Sequence, residues 1–342
     1  MKGCSRASAG AERRINPRNC LLPTRTSLIR RGLEYVNILM RIPYAVLLIL
    51  LATLCFGQVA AISAQKAEAP ATPSPADSLS QDQIREIIRK SADNDMENDK
   101  KLRNYTYVER QEEKHLDGKG QVKSTESKTY DVMEIYGEQV QKLISKDDKP
   151  LSEKDAQKED EKIQKVIDKR KNESASDREK RLKKEEKDRE DGRQFIREVA
   201  DAYNFTFVGM ESIDGRANYV IDGVPKPGYV PKLKDARILP KFRFRVWIDK
   251  DDTEMKKLDV QCIDTVSFGL FLARLHKGTR VVVEQTRVNN EVWLPEHVTA
   301  NVDVRLALLK NINVDVDVTD RDYKKFSSDT KITTLGEAGT TQ

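Results

Sequence analysis

The chain has 342 residues and carries 61 Lys+Arg against 56 Asp+Glu, a net charge of +5. Nine of the basic residues (Lys2, Arg6, Arg13, Arg14, Arg18, Arg25, Arg30, Arg31 and Arg41) fall in residues 1–64 against Glu12 and Glu34, so the remainder holds 52 basic and 54 acidic residues. A nucleic-acid surface needs a concentrated Lys/Arg surplus facing phosphates, and a nearly neutral remainder excludes that class.

The first 64 residues read as a leader. Ile42 to Ala64 contains no charged residue, follows Arg41 and has a dense apolar core from Ala45 to Ala52, the pattern of an n-region and an h-region. Small residues close it, and cleavage is expected after Ala61 or Ala64, with Met40 as the expected true start and retention as a membrane anchor as the alternative. Leu54 precedes Cys55 where a lipidated cysteine normally follows a small residue, so lipidation is not expected. Export is therefore predicted, to the periplasm. Only Cys262 survives leader removal, and in a β-type segment it reads as a small buried hydrophobe.

Residues 65–78 are Ala/Pro/Ser-rich, with Pro70, Pro73 and Pro75, and form a linker. Ser80 and Gln83 make a capping box for an amphipathic helix over about 80–100, with Ile84, Ile87 and Ile88 on one face. The period then changes to two. Asn104 to Glu113, Val122 to Tyr136 and Glu138 to Ser145 read as antiparallel strands, the first two joined at Asp117-Gly118-Lys119-Gly120. Residues 151–191 hold 14 Lys/Arg and 14 Asp/Glu. Such a segment cannot bury a core, but i,i+4 pairs support exposed helix, and two helices are expected, the second opened by Ser176 and Glu179. Gly192 is expected to end this insertion, after which Phe195, Ile196, Val199 and Tyr203 recur at helical spacing.

From Phe205 onward the pattern is β, with strands expected at 205–212, 218–222, 242–249, 257–266, 279–288, 292–304 and 313–318. About ten strands in all are too many for one flat open sheet, which predicts a strongly curved one. The domain is expected to span 79–332, with a disordered tail at 333–342. Its fold class is α+β: a strongly curved antiparallel β-sheet or partial barrel with helices on one side, plus the charged helical insertion.

No residue pattern specifies a reaction. His115, His276 and His297 have no metal spacing to one another or to Cys262. Asp249, Asp251, Asp252 and Glu254 lack the glycine and distant Glu of a calcium loop and read as a solvated hairpin tip. Asp315 and Asp317 alternate with Val314, Val316 and Val318, which places acids on one face and valines on the other. Gly-rich phosphate loops and a Gly-x-Ser-x-Gly elbow are absent. A non-catalytic protein with no cofactor and no metal is expected. The informative stretch is Phe268-Gly269-Leu270-Phe271-Leu272-Ala273, apolar at successive positions, which needs cover on both faces from protein or from a bound apolar molecule.

Phe244-Arg245-Val246-Trp247-Ile248-Asp249-Lys250, Lys256-Lys257-Leu258, Glu291-Val292-Trp293-Leu294-Pro295 and Tyr323-Lys324-Lys325-Phe326 resemble the outer-membrane lipoprotein-sorting (LolA/LolB-like) superfamily over about residues 80–332. The resemblance implies a half-barrel whose concave side is covered by helices and holds acyl chains. Ile84, Ile87, Ile88, Phe195 and Val199 would be the cover, and Trp247, Phe268, Leu270, Phe271, Leu272 and Trp293 the remaining candidate lining. The charged insertion departs from the compact carriers of the family. The implied function is a periplasmic carrier or binder of a lipid or lipoprotein acyl chain. The alternative is an envelope interaction or sensor protein that binds a protein partner through 151–191.

Overall fold

The computed structural model describes residues 79–136, 138–268, 273–306 and 310–326. The leader, the linker, the tail and the candidates Leu270, Phe271 and Leu272 lie outside the described residues, as does the side chain of Phe268.

The chain opens with helix α1 (Gln81–Leu102), and Ser80 caps it as the sequence predicts: Gln83 N–H donates to Ser80 Oγ (3.2 Å) and Ser80 N–H to Gln83 Oε1 (2.8 Å). Strands β1 (Tyr105–Leu116), β2 (Val122–Ile135), β3 (Glu138–Lys146) and β4 (Lys149–Pro150) follow as a meander. Its first turn is held by Asp117 Oδ1, which accepts from Lys119 and Gln121 N–H, and Gly120 supplies the positive φ of 78°.

Helices α2 (Glu153–Lys171) and α3 (Ala175–Ala202) form the charged insertion and its continuation. Two expectations are corrected here. The cap of α3 is Ser174, whose Oγ accepts from Asp177 N–H at 3.1 Å, two residues before the expected Ser176. Gly192 does not end the insertion, because α3 runs through it unbroken and buries it. A helical glycine costs about 1 kcal/mol relative to alanine, which packing of Phe195, Ala200 and Ala202 outweighs.

Strands β5 (Tyr203–Ile213), β6 (Arg216–Pro225), β7 (Phe242–Asp249), β8 (Met255–Cys262), β9 (Val266–Phe268), β10 (Ala273–Leu275), β11 (Arg280–Val288), β12 (Val292–Leu306) and β13 (Lys310–Lys325) complete the sheet, with a 3-10 helix at Asp235–Lys241 between β6 and β7. The strand order is β4-β3-β2-β1-β13-β12-β11-β8-β7-β6-β5, every pairing antiparallel, with β9 and β10 as a short extension on β12. Strand β13 enters between β1 and β12, so the end of the chain joins its first hairpin to its later meander. The outermost strands β4 and β5 are not paired with each other, and the curved sheet stays unclosed.

Helices α1 and α3 pack on one face. Ile84 and Ile88 of α1 and Phe195 of α3 are buried against Phe205, Phe207, Ile221, Val246 and Ile248. The end of α1 buries Leu102 against Tyr105, Tyr107, Val132, Val292 and Leu294. By strand alternation α2 lies on the opposite face: it buries Ile163 against Ile135 and Val140, and Ile135 lies on the side of β2 away from Val132. A third cluster of Ile238, Phe242, Cys262, Val266 and Leu275 closes the end beside β9 and β10. Cys262 is buried as expected, and burial pushes its thiol up to about 11.

Candidate apolar binding face

Cross-strand register lines up aliphatic side chains over the centre of the helix-covered face. One row runs Leu258, Val283, Val298, Val318 and ends at Gln111; the next runs Val260, Val281, Ala300, Val316 and ends at Glu113. Leu258 packs against the cluster holding Ile84 and Phe195, which places both rows on the side of α1 and α3. Val302 and Val314 extend the pattern toward Leu275 and His115. Val283, Val298 and Val314 are buried, whereas Val281, Ala300, Val316 and Val318 are only half-buried. Period-two valines in β11 to β13 produce this surface because small β-branched residues pack evenly on a pleated sheet.

Polar groups border the rows. Glu109, buried on β1, accepts from Gln111 and, at 2.9 Å, from Gln141, and pairs across strands with buried Asp320. Burial raises the Glu109 carboxyl well above the ordinary carboxylate range. Beneath the second half of α1, Gln285 donates to Asp95 Oδ1 (2.6 Å), and Asn98 donates to Glu254 Oε2 (2.8 Å). Burial pushes Asp95 up to about 6 against the pull of its Gln285 bond, and burial plus the Asp95 charge push Glu254 up to about 7. Burial therefore favours the protonated form of these carboxyls, and the margin of the apolar surface loses charge more readily as pH falls than ordinary carboxylates would.

The predicted site residues separate into groups. Ile84, Ile88 and Phe195 are brought together, with Ile87 and Val199 packed against them, as a filled helix–sheet interface. Trp247 sits between Val246 and Ile248 and so faces the other side of β7, where its Nε1–H donates to Glu211 at 2.7 Å and Lys257 lies over its ring. Trp293 is fixed by its Nε1–H on Asp252 (3.0 Å) and by Arg216 stacked 5.8 Å from its ring centre. Phe268 ends β9, the short strand that pairs with β10 beside β12.

The acidic loop differs from its sequence reading. Asp249 is fully buried, not a solvated tip: Arg216 binds it with two N–H groups at 2.5 and 2.7 Å, and Asp251 and Asp252 N–H donate to its Oδ1. Those bonds hold the carboxyl below its ordinary range, overcoming burial. Asp315 and Asp317 do face away from the valines, as expected, and hold Asn301 and His297 at 2.5 and 3.0 Å. Among the described residues, no group of three or more His, Cys, Asp or Glu could hold a metal ion, and no helix is long and apolar enough to cross a membrane. The period-two valines of β11 to β13 are the sequence signal for the central residues Val281, Ala300 and Val316, which only strand pairing brings together.

No protein-family model matches the chain, and no curated protein sequence matches it. The chain is similar in structure to a putative outer membrane lipoprotein-sorting protein domain from Vibrio parahaemolyticus, at 10% identity and TM-score 0.27, covering 69% of this chain and 92% of that one. It is also similar to a LolA superfamily protein from Nitrosomonas europaea (9%, TM-score 0.26, covering 71% and 93%) and to the Pseudomonas aeruginosa MucA/MucB complex (11%, TM-score 0.22, covering 69% and 93%).

Proposed function

We propose that this protein is an exported, non-catalytic binding protein of the cell envelope that holds a lipid or lipoprotein acyl chain against the central valine rows. The observation that supports this reading is the run of half-buried aliphatic side chains Val281, Ala300, Val316 and Val318, between the filled interface under α1 and the polar border at Gln111 and Glu113. Exposing an acyl chain to water costs about 0.8 kcal/mol per CH₂, so a carrier needs apolar surface and no catalytic group. Leu270, Phe271 and Leu272, which lie outside the described residues, enter this reading from the sequence alone as further apolar candidates.

Uptake of a fluorescent fatty acid tests the reading. Phe271→Glu and Ala300→Phe, the first charging the lining and the second filling the rows, are each expected to weaken uptake at least tenfold while the circular dichroism spectrum stays native. Unchanged uptake in both variants rejects the proposal.

A protein-binding role is the second reading. It is favoured by Leu182, which is 48% exposed on the charged half of α3. Leu182→Lys should then abolish a protein contact and leave fatty-acid uptake intact; loss of uptake alone would favour the first reading.

A further inference from the structure

On the side of the sheet away from α1 and α3, a cavity of about 490 Å³ opens over β6, β7, β8 and β11. It falls within the roughly 300–1,000 Å³ typical of small-molecule sites. Its polar wall is basic, formed by Arg243, Arg245 and Arg280 around Gln261. Arg243, Gln261 and Arg280 are register neighbours across three strands.

Two of these arginines already have anionic partners. Arg245 forks onto Asp222 at 2.6 and 2.8 Å, and Arg280 forks onto Asp259 at 2.8 and 2.6 Å. Arg243 instead places Nε and Nη2 on the neutral Gln261 Oε1, at 2.8 and 2.5 Å. Among the described residues, the cavity lining therefore holds three guanidinium charges against two carboxylates, and Arg243 is the lining arginine that forms no ion pair there. Gln261, its oxygen taken twice, keeps its carboxamide N–H groups as further donors. The apolar contribution comes from Val224, 46% exposed, and from Trp247, whose ring is fixed by the Glu211 bond.

We propose that this cavity binds an organic oxyanion, a phosphate or carboxylate carrying a short apolar body, with the anion between Arg243 and Arg280 and the apolar part toward Val224 and Trp247. Guanidinium donors match oxyanion geometry in pairs, and Gln261 supplies a neutral donor between them. The site lies across the sheet from the valine rows and does not rest on the acyl-chain reading.

Calorimetric titration of the purified protein at low salt, with hexyl phosphate, hexanoate, inorganic phosphate and hexanol, tests this. Hexyl phosphate or hexanoate is expected to bind, and whichever is tighter identifies the anion. Hexanol should fail to compete. Arg243→Gln should weaken binding at least tenfold and Arg280→Gln should weaken it too, while raised salt lowers the affinity of the unaltered protein. Arg243 is exposed, so its replacement leaves the fold intact, and fatty-acid uptake in the same variant should be unchanged. Equal binding by Arg243→Gln and the unaltered protein, equal binding of hexanol, or no binding of either anion at millimolar concentration would overturn the proposal. Equal affinity for inorganic phosphate and hexyl phosphate would overturn its apolar half.

Discussion

The two faces of the sheet are built from the same strands and do different work. Toward α1 and α3, alternate residues are aliphatic and bury against helices or one another. On the other side, the intervening residues form a lattice of cross-strand pairs: Lys257 with Glu284, Arg280 with Asp259, His297 with Asp317, Asn301 with Asp315. Exposed ion pairs contribute about 0–1 kcal/mol each, whereas burying a large apolar side chain contributes about 1.5–3 kcal/mol. Stability therefore resides on the helix face, and the charged face keeps register and solubility. Two features limit this rule: Asp249, whose pair with Arg216 is buried on the carboxylate side, and the Ile135, Val140 and Ile163 cluster that α2 buries on the other face.

Substitutions on each face sharpen the contrast. The largest effect is expected from Phe195→Ala, with a loss of about 4 kcal/mol in denaturant unfolding, since it opens a cavity in the main cluster. Asp249→Ala should cost about 3 kcal/mol by leaving Arg216 and two backbone N–H groups without their acceptor; a loss no larger than that of an exposed pair would remove the first of those limits.

The carboxyls beneath α1 give a smaller, pH-dependent effect. Asp95 and Glu254 have folded values of about 6 and about 7, above their ordinary values. Their contribution to stability is full below about pH 4 and is lost as pH rises through 6 to 7. Glu254→Gln should accordingly raise the melting temperature at pH 8 by about 2–4 °C and change it little at pH 4, read by thermal denaturation. The smallest effect belongs to the charged face: Arg280→Ala should change stability by less than about 1 kcal/mol, because its guanidinium is exposed.

The same contrast explains what could be read from the sequence. Local patterns were legible: the Ser80 capping box, the turn at Gly120, and the alternation of Asp315 and Asp317 with valines all depend on residues a few positions apart. What depended on distant partners was not. The acidic loop reads as solvated until Arg216, 33 residues before Asp249, folds onto it. Gly192 looks like a terminator until tertiary burial of α3 outweighs its propensity. The resemblance places Trp247 and Trp293 in the lining of the concave side, whereas alternation turns Trp247 to the far face and Asp252 holds the indole of Trp293. The central valines were visible as periodicity, but their joining into rows required the return of β13 between β1 and β12.

Native mass spectrometry with lipid extraction, on protein purified without detergent, tests the central claim most directly. A co-purifying species bearing an acyl chain, present near one per protein and lost in Ala300→Phe, is the predicted result. Protein that arrives empty, in both unaltered and filled forms, would contradict it.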